Sequence, residues 1–316
     1  MTDDAMRPGD DGPAVGAVAV ASPQDVAGVA GPAAADRRVS TRTPGWRSIV
    51  EYVLLVTVAA IFLVPLVYMV TTSLKPPDEV FSTPPSLFGS ELRWQNYVET
   101  FEYAPFGRYL MNSLLVAVLG TVLNVTVAVL SGYAFARLLW RGRTATFGVF
   151  LMTMMLPQEV IVVPLFVIMQ RLGWVNSYQA LIVPLGFAAF GAFLLRQFYL
   201  TVPRELDEAA RVDGASVPRV FASIVLPLAR PTVAVLAVFT FIGYWNAFMW
   251  PLIIVNDVGA YGTVPLGLQS FLGQQGSQWH LVMAASTVSM LPMIALVIAL
   301  QKHLVSGVMA SGFGGR

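Results

Sequence analysis

Apolar residues run along this chain in long unbroken blocks. They show neither the alternation of a half-buried strand nor the narrow stripe of a soluble helix. Six blocks stand out, at about 48–72, 109–136, 144–170, 178–200, 229–255 and 281–303. Each is near or above the roughly 20 residues that a helix needs to cross a bilayer. A membrane barrel would alternate lipid-facing and lumen-facing positions, which these runs do not. The pattern predicts an all-α polytopic membrane protein of six transmembrane helices, with one membrane domain over 45–316. Residues 1–44 are rich in Ala, Gly, Val, Pro and Asp and have no helical period, so they are expected to form a disordered tail. The stretch "AVGAVAVA" within that tail is short and follows acidic residues, unlike a signal peptide.

Composition agrees with the membrane reading. Of 316 residues 56% are hydrophobic and 12% charged, against roughly 25% charged in soluble domains. With no Cys, disulfides and thiolate metal sites are excluded. His280 and His303 are far apart and form no spaced motif, so no metal is expected. The placement of charge says more than its +1 total. If both termini are cytoplasmic, all of the 19 Lys and Arg except Lys75, Arg93, Arg108 and Arg171 fall on the cytoplasmic side. The positive-inside rule therefore predicts that orientation. Two long segments then face outward: 73–108, with Pro pairs and aromatics, and 256–280, rich in Gly and Gln.

The spans lack most of what an ion-coupled carrier needs. Glu51 and Arg196 lie near span ends and can snorkel. Glu159, bracketed by Pro157 and Pro164, is the one acid well inside a run. An intramembrane acid is a functional candidate by default, and the plainer alternative is that Glu159 caps a helix break or faces water. No Gly precedes Lys75 or Lys302, so no phosphate-cradling loop is present. Neither a nucleophile elbow nor an H-E-x-x-H motif occurs. No catalytic residue is expected, and any work of pumping comes from another chain.

One block breaks the apolar pattern. "EAARVDGASVPRVFASIVLP", at 208–227, lies between the fourth and fifth runs, on the predicted cytoplasmic side. Glu205, Asp207 and Glu208 suit the first turns of a helix, where the dipole favours anions. Gly214 permits a left-handed turn. Pro218 suits the start of a second short helix, whose Val217, Val220, Phe221 and Ile224 recur at helical spacing. The expected result is a helix–turn–helix over about 203–222 at the membrane surface. It is too acidic to be a headgroup-binding amphipathic helix, which would carry Lys and Arg.

The spacing of this block resembles the "EAA" motif of permease subunits of bacterial ABC importers. Glu208-Ala209-Ala210, three residues, Gly214, nine residues, then Ile224-x-Leu226-Pro227 reproduce it. The resemblance covers about 48–316 and is closest to the carbohydrate-uptake branch, in particular the shorter permease of maltose-type systems. "NSLLVA", "SGYAFARL", "YWNAFMWPLI" and "TVPLGLQSF" share it. It implies a type I ABC importer permease architecture in the bacterial cytoplasmic membrane, with 203–222 as a coupling helix that docks in an ATPase cleft. Glu208, Ala209, Ala210, Asp213, Gly214, Ile224, Leu226 and Pro227 would form that docking block. The implied partners are two ATPase subunits carrying ATP and Mg, a second homologous permease, and an extracytoplasmic sugar-binding protein. No cofactor is expected on this chain. Its ending at Arg316 departs from the Lys-Gly end common in that branch.

Substrate contacts are sought where polar groups accompany aromatics. Tyr244, Trp245 and Asn246 in the fifth run and Asn112, Ser113 and Asn124 in the second are the candidates for a translocation path. The competing reading is hydrogen bonding between helices. Gly273, Gln274, Gln275 and Gly276 are the candidates for a loop that enters the binding protein. The expected solute is a di- or oligosaccharide. The alternatives are another solute such as glycerol phosphate, or a scaffold that binds an ATPase without transport. The lack of a mid-span Lys or Arg favours the neutral sugar.

Overall fold

The computed structural model describes residues 46–273 and 277–312. The tail 1–44, Gln274, Gln275, Gly276 and the C-terminal end lie outside these. The chain divides into two units, up to Val58 and from Ala59 onward. The described part of the first unit is helical, the opening stretch of α1 (Trp46–Ser73). Within the second unit the rest of α1 keeps Ile61, Phe62, Leu63 and Val64 exposed, as a lipid-facing or partner-facing helix does.

The second unit continues with α2 (Gln95–Tyr103), α3 (Phe106–Arg137), α4 (Arg143–Met152), α5 (Gln158–Arg171), α6 (Tyr178–Ile182) and α7 (Ala189–Thr201). Then come α8 (Glu205–Val212), α9 (Val217–Val220), α10 (Leu226–Leu228) and α11 (Arg230–Trp245). The last elements are α12 (Met249–Ile254), α13 (Val258–Tyr261), α14 (Val264–Leu268) and α15 (Trp279–Gly312). Ser48–Ser73, Phe106–Arg137, Tyr178–Thr201 and Trp279–Gln301 are long and apolar enough to cross a bilayer. Among the described residues two bent pairs bring the number to six when each is taken as one span: Arg143–Met155 with Gln158–Arg171, at 104°, and Val217–Leu228 with Arg230–Trp245, at 74°.

The breaks follow from particular residues. Pro157 has no N–H for the preceding turn and its ring crowds the carbonyl four residues back, so the third run splits there. Glu159 lies exposed in the first turn of the new helix. The fifth run is shorter as a helix than its 229–255 pattern suggests. It ends at Trp245, with Asn246 as C-cap, and α12 resumes at Met249.

The centre of the bundle is the crossing of α3 with α7, made close by small residues. A Cβ on Gly132 would stand 3.0 Å from Leu195 Cβ and 3.1 Å from the Arg196 nitrogen. One on Gly191 would stand 2.8 Å from Ala128 Cβ. Two apolar clusters form along α3. Around its first half, Phe106, Tyr109, Val116 and Ala117 pack with Leu181, Tyr244, Trp245, Trp250, Ile254 and Phe271. Around its second half, Ala128, Val129, Tyr133 and Ala136 pack with Leu195, Tyr199, Val220, Val225 and Leu236. The block at 203–228 sits on this second cluster through Ala210, Ala215 and Phe221.

Candidate functional site

The block opens where α7 ends. Val202, extended at φ −74° and ψ 128°, and Pro203 separate α7 from α8. Glu205, Asp207 and Glu208 fill the first turn of α8, complementing its dipole, and Arg211 stands in the last. The helix closes in a Schellman arrangement. Ala215 N–H donates to Ala210 O at 2.9 Å, and Gly214 N–H to Arg211 O at 3.0 Å. The motif needs a left-handed residue at its turn, and Gly214 supplies φ +82° with open space where a Cβ would stand. Pro218 lies in the first turn of α9. A π turn over Phe221–Val225 then widens the helix just before Pro227, which cannot bond backward.

The geometry sorts the docking candidates into two groups. Glu208, Ala209, Asp213 and Gly214 are exposed, and Ala210 is half-buried on the bundle side. Ile224, Leu226 and Pro227 are half-buried beneath them, leading into α11. The exposed face includes two apolar residues that the motif does not name, Val212 at 89% and Leu206 at 43% exposure. An apolar side chain so bare beside small alanines is what a fitted cleft on a partner would cover.

Sequence reasoning also missed how this block is held. Arg137, the last residue of α3, and Asp207 of α8 are buried together, their side chains 4% and 10% exposed, with Nη1 3.4 Å from Oδ2. In sequence, Arg137 reads as a flanking charge and Asp207 as a dipole-complementing acid. The available signal was a pair of opposite charges, each next to a span end.

Five of the six path candidates bond to their own chain or pack in its core. Asn112 Nδ2 donates to Ala260 O at 3.0 Å and Gly262 O at 2.9 Å, and its Oδ1 accepts from the Tyr178 hydroxyl at 2.8 Å. Ser113 Oγ accepts from Val264 N at 2.7 Å. Asn124 bridges Leu185 O and the Thr240 hydroxyl at 3.3 and 3.4 Å. The Tyr244 hydroxyl donates to Ile182 O at 2.8 Å, and its ring lies against Gly120. Trp245 stacks on Phe241 with centroids 5.8 Å apart. Asn246 is exposed at the end of α11. Of the loop candidates Gly273 is exposed, and the other three lie outside the described residues.

A cleft of about 500 Å³ opens beside Asn112, lined by Arg108, Met111, Asn112, Tyr178, Ala260 and Tyr261. Tyr178 meets Tyr261 edge-on, with ring centroids 5.0 Å apart. Arg108 is exposed, and Nη1 makes one long bond, 3.4 Å, to Gly259 O. Among the described residues no carboxylate pairs with it. Basic charge, hydroxyl and amide thus share one open recess.

Residues 124–309 match the family described as binding-protein-dependent transport system inner membrane component. The chain belongs to this family. It is an ABC importer permease, in the carbohydrate-uptake branch, and a multi-pass protein of the inner membrane. Its family is one of transport components, without catalysis of their own. The permease is 39% identical over 242 residues to the sn-glycerol-3-phosphate transport system permease protein UgpE of Pectobacterium atrosepticum, covering 74% of this chain and 86% of that protein. Against the protein of that name in Escherichia coli O1:K1 it is 36% identical over 275 residues, covering 84% and 97%. The fold matches a chain of the crystal structure of a bacterial ABC transporter involved in the import of the acidic polysaccharide alginate. There the TM-score is 0.71 at 23% identity, covering 84% of this permease and 98% of that chain.

Proposed function

We propose that this permease, with a second homologous permease and two ATPase subunits, imports a small phosphorylated polyol of the sn-glycerol 3-phosphate type. An extracytoplasmic binding protein delivers the solute. The observation that carries the reading is likeness along nearly the whole length of proteins named for that solute. The expectation of a neutral di- or oligosaccharide rested on the resemblance to the maltose-type branch, supported by the lack of a mid-span Lys or Arg. Arg108, unpaired by any described carboxylate, supplies a basic group at the mouth of the Asn112 cleft, where a phosphate meets the guanidinium beside the Tyr261 phenol. On the positive-inside reading this cleft faces outward and the block at 203–228 faces the cytoplasm.

ATP, with Mg, is bound and hydrolysed on the partner ATPases. Glu208, Ala209, Ala210 and Gly214, with Val212 and Leu206 beside them, form the surface that enters an ATPase cleft. Closure of the ATPase dimer moves this surface and turns the spans between inward- and outward-open states.

The test is uptake into proteoliposomes holding the complete complex, with its binding protein outside and ATP inside. Labelled sn-glycerol 3-phosphate should accumulate and maltose should not. Arg108→Gln should raise the concentration for half-maximal uptake roughly tenfold, the worth of one charge-assisted contact. Maltose uptake without glycerol phosphate uptake overturns the solute assignment. A Gly214→Asp chain that still retains the ATPases on pull-down overturns the docking assignment.

A further inference from the structure

The docking block joins the bundle through a hinge that one guanidinium brackets. After Thr201 the chain leaves helix geometry at Val202 and Pro203 and re-enters it at Glu205. A helix of eight residues beyond such a link would pivot when a partner pushes it. Arg137 reaches the link from α3. Its Nη2 donates at 2.5 Å to Val202 O, on the first residue of the link, while Nη1 faces Asp207 Oδ2, beyond the link in α8, at 3.4 Å. The planar fork of Arg holds two directions at once, which the point charge of Lys cannot. Tyr133 and Tyr199 pack beside it edge-on at 6.0 Å, and Phe221 closes on Tyr133 at 4.7 Å. These rings screen the pair from water and strengthen its attraction.

We propose that Arg137 and Asp207 form a charge clamp across the α7–α8 hinge, which makes the docking block move as one body with α3 and α7. Both are positioning residues for transmission of the ATPase stroke. Buried ion pairs add little net stability over apolar packing, so register between the block and the spans is the function that the pair serves. The inference rests on the block being the ATPase dock. The unaltered complex tests that first: if the wild-type chain retains no ATPase, the docking reading fails before the clamp is reached.

The test compares wild type, Asp207→Asn, Asp207→Glu and Arg137→Lys in the complete complex in proteoliposomes, measuring solute moved per ATP hydrolysed. Asp207→Asn keeps the shape and removes the charge. It should accumulate, retain the ATPases and hydrolyse ATP, while solute per ATP falls about tenfold, an ordinary size for a coupling energy. Arg137→Lys should uncouple similarly, and Asp207→Glu should restore most of the ratio. The clamp is overturned if uptake and hydrolysis fall in proportion, or if Asp207→Asn matches wild type. It is equally overturned if Asp207→Asn fails to accumulate in the membrane, since the pair would then be a folding requirement and not a transmission element.

Discussion

The two halves of α3 bury polar groups in different ways. Around its first half the partners are neutral and mostly saturated. Asn112 makes three bonds, Ser113 one, and Trp250 Nε1 donates to Ala180 O at 2.7 Å. Around its second half the partners are charged and incompletely matched. Arg137 Nε, Asp207 Oδ1 and the hydroxyls of Tyr133 and Tyr199 find no hydrogen-bond partner among the described residues. A saturated neutral network has one good arrangement and is rigid. A charge pair with spare donors and acceptors tolerates small displacements, because its attraction falls slowly with distance. The rigid half borders the cleft with Arg108, and the adjustable half carries the block at 203–228. On the proposed function, the division suits a machine whose recognition end must be shaped and whose driven end must move.

The comparison breaks most sharply at the ion pair. Arg137→Ala leaves Asp207 buried without a counter-charge and should cost about 3–5 kcal/mol of stability. The paired Arg137→Met, Asp207→Leu change should recover most of that loss while still uncoupling transport, with stability read by unfolding of the purified chain in detergent. If the double change is as unstable as the single one, the pair is a stability element and the contrast fails.

Next in size is Gly120. A Cβ there would lie 2.3 Å from Tyr244 Cζ, and the ring is fixed by its bond to Ile182 O. Gly120→Ala should therefore destabilise by about 1–3 kcal/mol through overpacking. A thermal midpoint equal to wild type would show that the first half yields more easily than its bonds imply.

Asn112→Ala should cost less, about 1 kcal/mol, since hydrogen bonds between membrane helices are individually modest. Its sharper effect should be on the Arg108 cleft, whose wall the side chain sets. Weakened glycerol phosphate uptake with near-normal stability is the expected pattern, read by half-saturation and thermal midpoint together.

The smallest effect lies outside the spans. Glu79 accepts from Ser90 Oγ at 2.5 Å and Ser90 N at 2.7 Å, and these bonds, the side-chain one first, hold its carboxyl below the usual 4.5. A depressed folded-state value means the tie is complete above the unfolded value and is lost as pH falls through the folded one. Pepsin cleavage within 76–92 should therefore rise as pH drops below that range in wild type. In Glu79→Gln it should be fast at every acidic pH tested. Equal cleavage of both chains would remove Glu79 from the loop's stability.

Much of this was legible without coordinates. Six apolar runs announced six spans, because a bilayer demands length and apolarity of every segment that crosses it. The motif at 208–227 announced its own turn, because a Schellman close needs a residue tolerant of positive φ and Gly214 stands at that place. Pro157 and Pro164 already pointed to a kink in the third run, and it breaks at Pro157; the fifth run overstated its helix, since hydropathy does not register the early C-cap at Asn246.

What the chain alone determined is therefore local: span existence, the helix–turn–helix, and the absence of a nucleotide cradle. Each depends on residues a few positions apart, and spacing encodes it. The tertiary structure decided everything that needs two distant segments to meet. It brought Arg137 to Asp207 across the hinge, seated Tyr244 on Gly120, and gathered Arg108, Asn112, Tyr178 and Tyr261 around one cleft. The physical reason is that packing selects partners by shape and charge in three dimensions. In a chain where every span is apolar, the linear pattern carries almost no record of which face meets which.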